Sequence, residues 1–210
     1  MLRRKPEVLA PTDGVIKVVS GMDDAPVGTD YSDPSWAVPR HTLAYRRMRV
    51  SARDVELAES TGCELTSKVE VRRLPDITPE LDAVVGSKPY EITRVEDRGS
   101  TCWLWLSEVA CDGTCVLLSS ATTYDAIGQE HVEETESPPV YVRYVQLNAQ
   151  RVNTGGVDAI DATVTLRLRQ VDYHGERRLK RGSVTLSVTR VESHGRWVDL
   201  TCRERGADRG

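Results

Sequence analysis

Thr93-Arg94-Val95-Glu96 recurs 96 residues later as Thr189-Arg190-Val191-Glu192. Just before the shared tetrapeptide, Tyr90 and Ile92 answer to Leu186 and Val188 and keep the same alternation of apolar and polar positions. After it, Trp103-Leu104-Trp105-Leu106-Ser107 matches Trp197-Val198-Asp199-Leu200-Thr201 at an offset of 94, as if the turn had lost two residues between Asp97–Cys102 and Ser193–Arg196. Upstream, Val69-Glu70-Val71 matches Val164-Thr165-Leu166 at 95, and Val50-Ser51-Ala52-Arg53 matches Leu147-Asn148-Ala149-Gln150 at 97. Four anchors in one order with a nearly constant offset define a tandem duplication with a period near 95. The fold to expect is therefore two copies of one small unit, residues 1–111 and 112–210, joined near Cys111-Asp112-Gly113.

Each unit reads as mainly β. A first strand (Gly14–Ser20; Thr114–Ser119) leads through an acidic loop to a second (Leu43–Val50; Val140–Leu147). A short helix is expected next. Ser51 is a good N-cap with Asp54 at the capping-box position, and Asn148 takes the cap position in the second unit, where Gly155-Gly156 ends the helix sooner. Three strands follow: Lys68–Leu74 and Thr163–Val171, Tyr90–Glu96 and Val184–Glu192, Trp103–Val109 and Trp197–Arg203. They alternate apolar with charged residues as half-buried strands do, and Gly99 and Gly195 mark hairpin turns between the last two. The expected architecture is two tandem small β-barrels or sandwiches, each with one short helix.

Composition agrees. The 210 residues are 39% hydrophobic and 29% charged, enough apolar material for a core in each unit and too much for a disordered chain. No run approaches the roughly 18 apolar residues of a membrane-spanning helix. Met1–Glu7 has basic residues with no apolar stretch behind them, so no secretory signal is expected and the chain reads as soluble and made inside the cell. The net charge of −4 is unevenly spread: residues 1–110 sum to −3, residues 111–140 to −6, and residues 141–210 to +5. Solvated surface explains such a pattern, and so does head-to-tail complementarity between neighbouring copies. The modest positive charge lacks a nucleic-acid motif, which argues against direct binding to duplex DNA.

Catalytic and cofactor signatures are missing from the sequence. It has no Gly-x-Ser-x-Gly elbow, phosphate-binding glycine loop or His-Glu-x-x-His helix, and no catalytic residue or cofactor is assigned. The acid pairs Asp23-Asp24 and Glu133-Glu134 lie in polar stretches with nothing nearby to raise a pKa, while His174-Gly175 and His194-Gly195 read as turns. Cys111-Asp-Gly-Thr-Cys115 has zinc-ligand spacing once, but a second tight pair is lacking, so five free thiols are expected rather than a metal site or a disulfide.

The stretch from Tyr45 to Val109 resembles the head-closure (stopper, or head–tail connector) proteins of long-tailed bacteriophages. The residues that carry the likeness come in order: a strand, a capped helix ending in Thr61-Gly62, the charged alternating strand Ser67–Arg72, the Asp76-Ile77-Thr78-Pro79 loop, Val85-Gly86-Ser87-Lys88-Pro89-Tyr90-Glu91-Ile92, and the closing Trp103–Leu106 strand. The second unit shares it mainly through the internal repeat, since Asp172–Arg181 lacks Asp-Ile-Thr-Pro, and a duplicated domain departs from the family's usual single one. The resemblance implies a ring beneath the portal and adaptor of a virion neck, made in the host bacterial cytoplasm. Such a ring retains packaged DNA in its channel without sequence-specific contact and presents a docking surface to the tail terminator and tail tube. Six chains, favoured over twelve, would present twelve similar modules between a twelve-fold portal and a six-fold tail. Two alternatives stand beside it: a tail terminator or tail-completion protein, and a tandem immunoglobulin-like adhesion module. The capped helix and the missing Cys…Trp…Cys pattern argue against the latter.

Candidate partner contacts follow from charge and from the repeat. Glu130, Glu133, Glu134 and Glu136 form an acidic surface that is expected to meet Arg177, Arg178, Lys180 and Arg181 of a neighbouring copy. Arg3, Arg4 and Lys5 are either an arm that orders on a partner or a solubilising tail. Trp105, aligned with the polar Asp199, is expected to face outward as an interface anchor.

Overall fold

The computed structural model describes residues 13–61, 63–124, 127, 129–154 and 157–204, with side chains left out at 123–124, 130–131 and 148–162. The chain divides into two units, one of Met1–Asp24 with Tyr31–Val109 and one of Ala25–Asp30 with Ala110–Gly210. Both are mainly β.

In the first unit, β1 (Gly14–Val19), β2 (Pro39–Met48), β3 (Ser67–Arg72), β4 (Asp82–Val85), β5 (Lys88–Asp97) and β6 (Thr101–Glu108) form a closed antiparallel barrel in the order β1-β2-β3-β6-β5-β4. Alternation dictates what fills it: Ile16 and Val18, Val69 and Val71, and Cys102, Leu104 and Leu106 all point inward. The α-helix α1 (Ala52–Ser60) sits between β2 and β3 and starts with the full capping box of Ser51 and Asp54. The Asp-Ile-Thr-Pro loop sends Ile77 into the core, with Leu81 beside it. His41 on β2 holds the loop's Asp76 at 2.5 Å, and this contact keeps that carboxyl below its usual pKa.

The second unit has β7 (Gly113–Tyr124), β8 (Glu130–Glu136), β9 (Val140–Thr154), β10 (Val157–Arg169), β11 (Arg178–Arg181), β12 (Val184–His194) and β13 (Trp197–Glu204). Six of them close in the order β7-β9-β10-β13-β12-β11, with β11 pairing back to β7. That is the strand order of the first barrel. Strands β8 and β9 follow one another along β7, Glu136 opposite Leu118 and Val140 opposite Cys115. Between them lies Ser137-Pro138-Pro139, where the prolines have no N–H to give the ladder. Gly28 (φ +81°) belongs to this unit, and a Cβ there would meet the Pro139 carbonyl oxygen at 3.1 Å, so that chain approach needs glycine.

The pairing registers correct the sequence alignment. The β4–β5 turn, Gly86-Ser87, corresponds to the β11–β12 turn, Gly182-Ser183, with both glycines at positive φ. A register shift falls between Ile92 and Arg94 and again between Val188 and Arg190. At each shift the intervening threonine donates across to the last strand: Thr93 Oγ1 to Trp105 O at 3.3 Å, Thr189 Oγ1 to Thr201 O at 3.0 Å. Asp97 pairs with Cys102 as, by the same offset, Ser193 pairs with Val198. The offset is thus a constant 96 through these hairpins, and the turn has lost nothing. Thr201, not Asp199, is the counterpart of Trp105, and Asp199 is the counterpart of Trp103. Likewise Val69 opposite Leu104 answers to Leu166 opposite Leu200, an offset of 97 in place of 95.

A second correction concerns the helix. Where the first barrel has α1, the second has no helix among its described residues at that place: β9 and β10 run on as a hairpin whose last described pair is Thr154 with Val157. Asn148 offers a cap, but Arg151 replaces the acid of the capping box, and the following Val-Asn-Thr-Gly-Gly-Val is β-branched and turn-forming. Strands β4, β8 and β11, which the sequence reading does not assign as strands, are short or charged enough to hide from periodicity.

Candidate interaction surfaces

On the outer face of the first barrel, strand phase places Lys68, Glu70, Trp103 and Trp105 opposite the core residues. Cations and rings alternate there. Arg98 Cζ lies 3.7 Å from the Trp103 centroid, Lys68 Nζ 4.3 Å from Trp103 and 4.7 Å from Trp105, and Arg94 Cζ 5.0 Å from Trp105. Lys68 is only 5% exposed. Its ammonium donates to Asp54 Oδ1 at 3.1 Å, so the N-terminal turn of α1 is pinned to the rings. The Ser51 backbone N–H, donating to Asp54 Oδ2 at 2.9 Å, is the main reason that this carboxyl stays below its usual pKa, with Lys68 adding to it. Trp103 Nε1 donates to Glu70 Oε1 at 3.3 Å, and Thr101 Oγ1 donates to the same oxygen.

Trp105 does face outward, but it is 3% exposed beneath Lys68 and Arg94 and offers no free ring to a partner. Polar neighbours with long aliphatic stems cover it, which a one-position comparison with another strand cannot reveal. The second barrel builds the same places differently. Glu70–Trp103 becomes Arg167–Asp199, a two-pronged ion pair at 2.7 and 2.8 Å, and Lys68–Trp105 becomes Thr165 and Thr201, whose hydroxyls are 3.4 Å apart.

The acidic and basic segments also meet, within one chain. Arg178 pairs with Glu134 and Lys180 with Glu136 over the outer face of β7. β7 runs between β8 and β11, so Glu134, Glu136, Arg178 and Lys180, expected to reach across copies, already have partners in the same unit. Glu133 and Arg177 are exposed, and Arg181 stacks its guanidinium over Tyr144 at 4.4 Å. Glu130 lies on β8 but its side chain is outside the described residues, as are Arg3, Arg4 and Lys5.

Two further groups bear on chemistry. A polar cavity of about 390 Å³ includes Ser119, His174 and Glu176. Glu176 accepts from the His174 backbone N–H at 2.8 Å and from Ser119 Oγ at 3.5 Å. Serine and histidine each meet the carboxylate rather than one another, which is not a nucleophile–base arrangement. Cys115 and Cys202 lie inside the second barrel, and burial pushes both thiols up to about 12. Among the described residues no three His, Cys, Asp or Glu side chains are grouped to hold a metal ion, and no helix is long and apolar enough to cross a membrane.

No family model matches the chain, and no curated protein matches it. One solved structure similar to it is a chain from the virion of a native gene transfer agent particle, with 15% identity and a TM-score of 0.37 over 47% of this chain and 99% of that one.

Proposed function

We propose that this chain is a structural component of a tailed-phage neck, a head–tail connector stopper that forms a ring under the portal and adaptor, retains packaged DNA and offers the tail a docking surface. The observation that carries the reading is the pairing of two closed barrels with one strand order and matched registers, the first of which follows the head-closure order of motifs from Tyr45 to Val109. Closure also weighs against an immunoglobulin-like module, whose two sheets stay open at their edges. The two barrels differ at the same place, the connection after the second barrel strand, which is α1 in one and the β9–β10 hairpin in the other. A shared scaffold with different insertions suits a component that meets different partners above and below, because insertions carry contacts while barrels carry stability. Six chains would then supply twelve related modules in a closed rotational ring.

Native mass spectrometry of the protein alone and mixed with portal–adaptor complex tests this. A closed ring of six chains on the complex is the expected result. Twelve chains would remove the module-matching argument, and a monomer that ignores the complex would overturn the neck assignment.

A further inference from the structure

We propose that the mouth of the second barrel is a docking cup for the segment Met1–Thr12 of a second copy of this chain; the choice of a second copy rests on the ring reading above. The cup has a volume of about 500 Å³ and is lined by Leu147, Val164, Val184 and Leu186, with Glu204 at its rim and Arg181 stacked aside on Tyr144. Leu147 is 73% exposed and Val184 37%, so two apolar side chains face water, Val184 at the start of β12 and Leu147 midway along β9. Neither is a scattered surface residue, since both stand beside Val164 and Leu186 at the edge of the core.

Comparison of the barrels says what is lacking. In the first, Lys88 opens β5 just after the Gly86-Ser87 turn and donates to Glu108 at 2.6 Å. In the second, the same registers place Val184 at the lysine's position and Glu204 at the glutamate's, Tyr90–Glu108 answering to Leu186–Glu204. The glutamate is kept and its lysine is gone. Among the described residues no cation reaches Glu204. The cup therefore asks for apolar groups next to a positive charge, supplied from outside the barrel.

Met1-Leu2-Arg3-Arg4-Lys5-Pro6-Glu7-Val8-Leu9 has that composition: apolar pairs on either side of three cations. Leu2 or the Val8-Leu9 pair fills the apolar floor while one of Arg3, Arg4 and Lys5 takes the vacant lysine's place beside Glu204. Twelve extended residues span up to about 40 Å.

The test is fluorescence anisotropy of a labelled synthetic peptide, Met1–Thr12, titrated into the full chain at low salt. Val184→Lys installs the first barrel's ion pair and closes the cup without opening the core, so its thermal midpoint should hold or rise. The expected result is saturable binding by the unaltered protein, at least tenfold weaker binding by Val184→Lys, and a comparable loss for a peptide with Arg3, Arg4 and Lys5 all changed to Glu. Equal binding by Val184→Lys, or no saturation in the millimolar range, overturns the cup. Binding that emerges only after residues 1–12 are removed puts the segment in its own chain's cup and overturns the assignment to a second copy. Ring assembly separates the two readings: rings that form equally well with Val184→Lys overturn this inference and leave the neck assignment standing. Specific peptide binding by a chain that never forms rings upholds the cup and overturns the neck assignment.

Discussion

Arg167 grips Asp199 through two parallel hydrogen bonds, Nε to Oδ1 at 2.7 Å and Nη2 to Oδ2 at 2.8 Å, directly across the β10–β13 ladder. The same cross-strand place in the first barrel holds Glu70 and Trp103. Removing one partner takes a two-pronged, charge-assisted bond from a side chain that is mostly buried, so Arg167→Ala or Asp199→Ala should each cost about 2 kcal/mol in urea denaturation. The double change Arg167→Glu with Asp199→Trp transplants the first barrel's pair and should recover part of that loss. A double-mutant cycle measures the coupling, and additive losses would show that the two places are not equivalent.

Asp54 joins the helix to the barrel, and its chemistry sets a pH dependence. Its carboxyl is depressed by the Ser51 backbone N–H and by Lys68, so folding favours the ionised form. The resulting stability is fully present above the unfolded value of 3.8 and is lost as pH falls through that value toward the lower folded one. Urea midpoints measured at pH 7 and pH 3 should therefore converge in Asp54→Asn relative to the unaltered protein. Equal acid sensitivity in both would assign the effect to other carboxylates.

Much of this architecture was legible because strands of one face leave a period of two. The alternations at Lys68–Arg72 and Thr163–Arg169, and the repeated Thr-Arg-Val-Glu, expose both the β class and the duplication. Three features resisted for physical reasons. β4 and β11 are four residues long, too short for a period to register. The Asn148 cap looked helical because a cap is a local signal, whereas the hairpin is decided by the chain on both sides of Gly155-Gly156. Aligning Trp105 with Asp199 rests on Trp103 and Trp197 both being tryptophan, but ladder registers, not identities, decide equivalence. The Lys68–Trp105 and Arg178–Glu134 contacts join residues 37 and 44 apart, and sequence spacing carries no sign of them.

The capping box gives a local prediction. Ser51 Oγ accepts from the Asp54 backbone N–H at 3.3 Å while Asp54 bonds back to the Ser51 N–H. Ser51→Ala should cost about 1 kcal/mol, read as a lower urea midpoint with an unchanged slope. A change of slope would mean that α1 detaches from the barrel rather than fraying at one end.

Thiol reactivity should follow burial. Cys63 and Cys111 are partly exposed, whereas Cys115 and Cys202 sit inside the second barrel with thiols pushed up to about 12. The attacking species is the thiolate, and at pH 8 a group titrating near 12 is ionised about once in ten thousand molecules. Brief treatment of the folded protein with iodoacetamide should label Cys63 and Cys111 and spare Cys115 and Cys202, as read by peptide mass spectrometry. In urea above the unfolding transition all five cysteines should react, and the labelling of Cys115 should then track the unfolded fraction. Labelling of Cys115 or Cys202 at the rate of Cys63 in the native protein would mean that the second barrel opens to solvent.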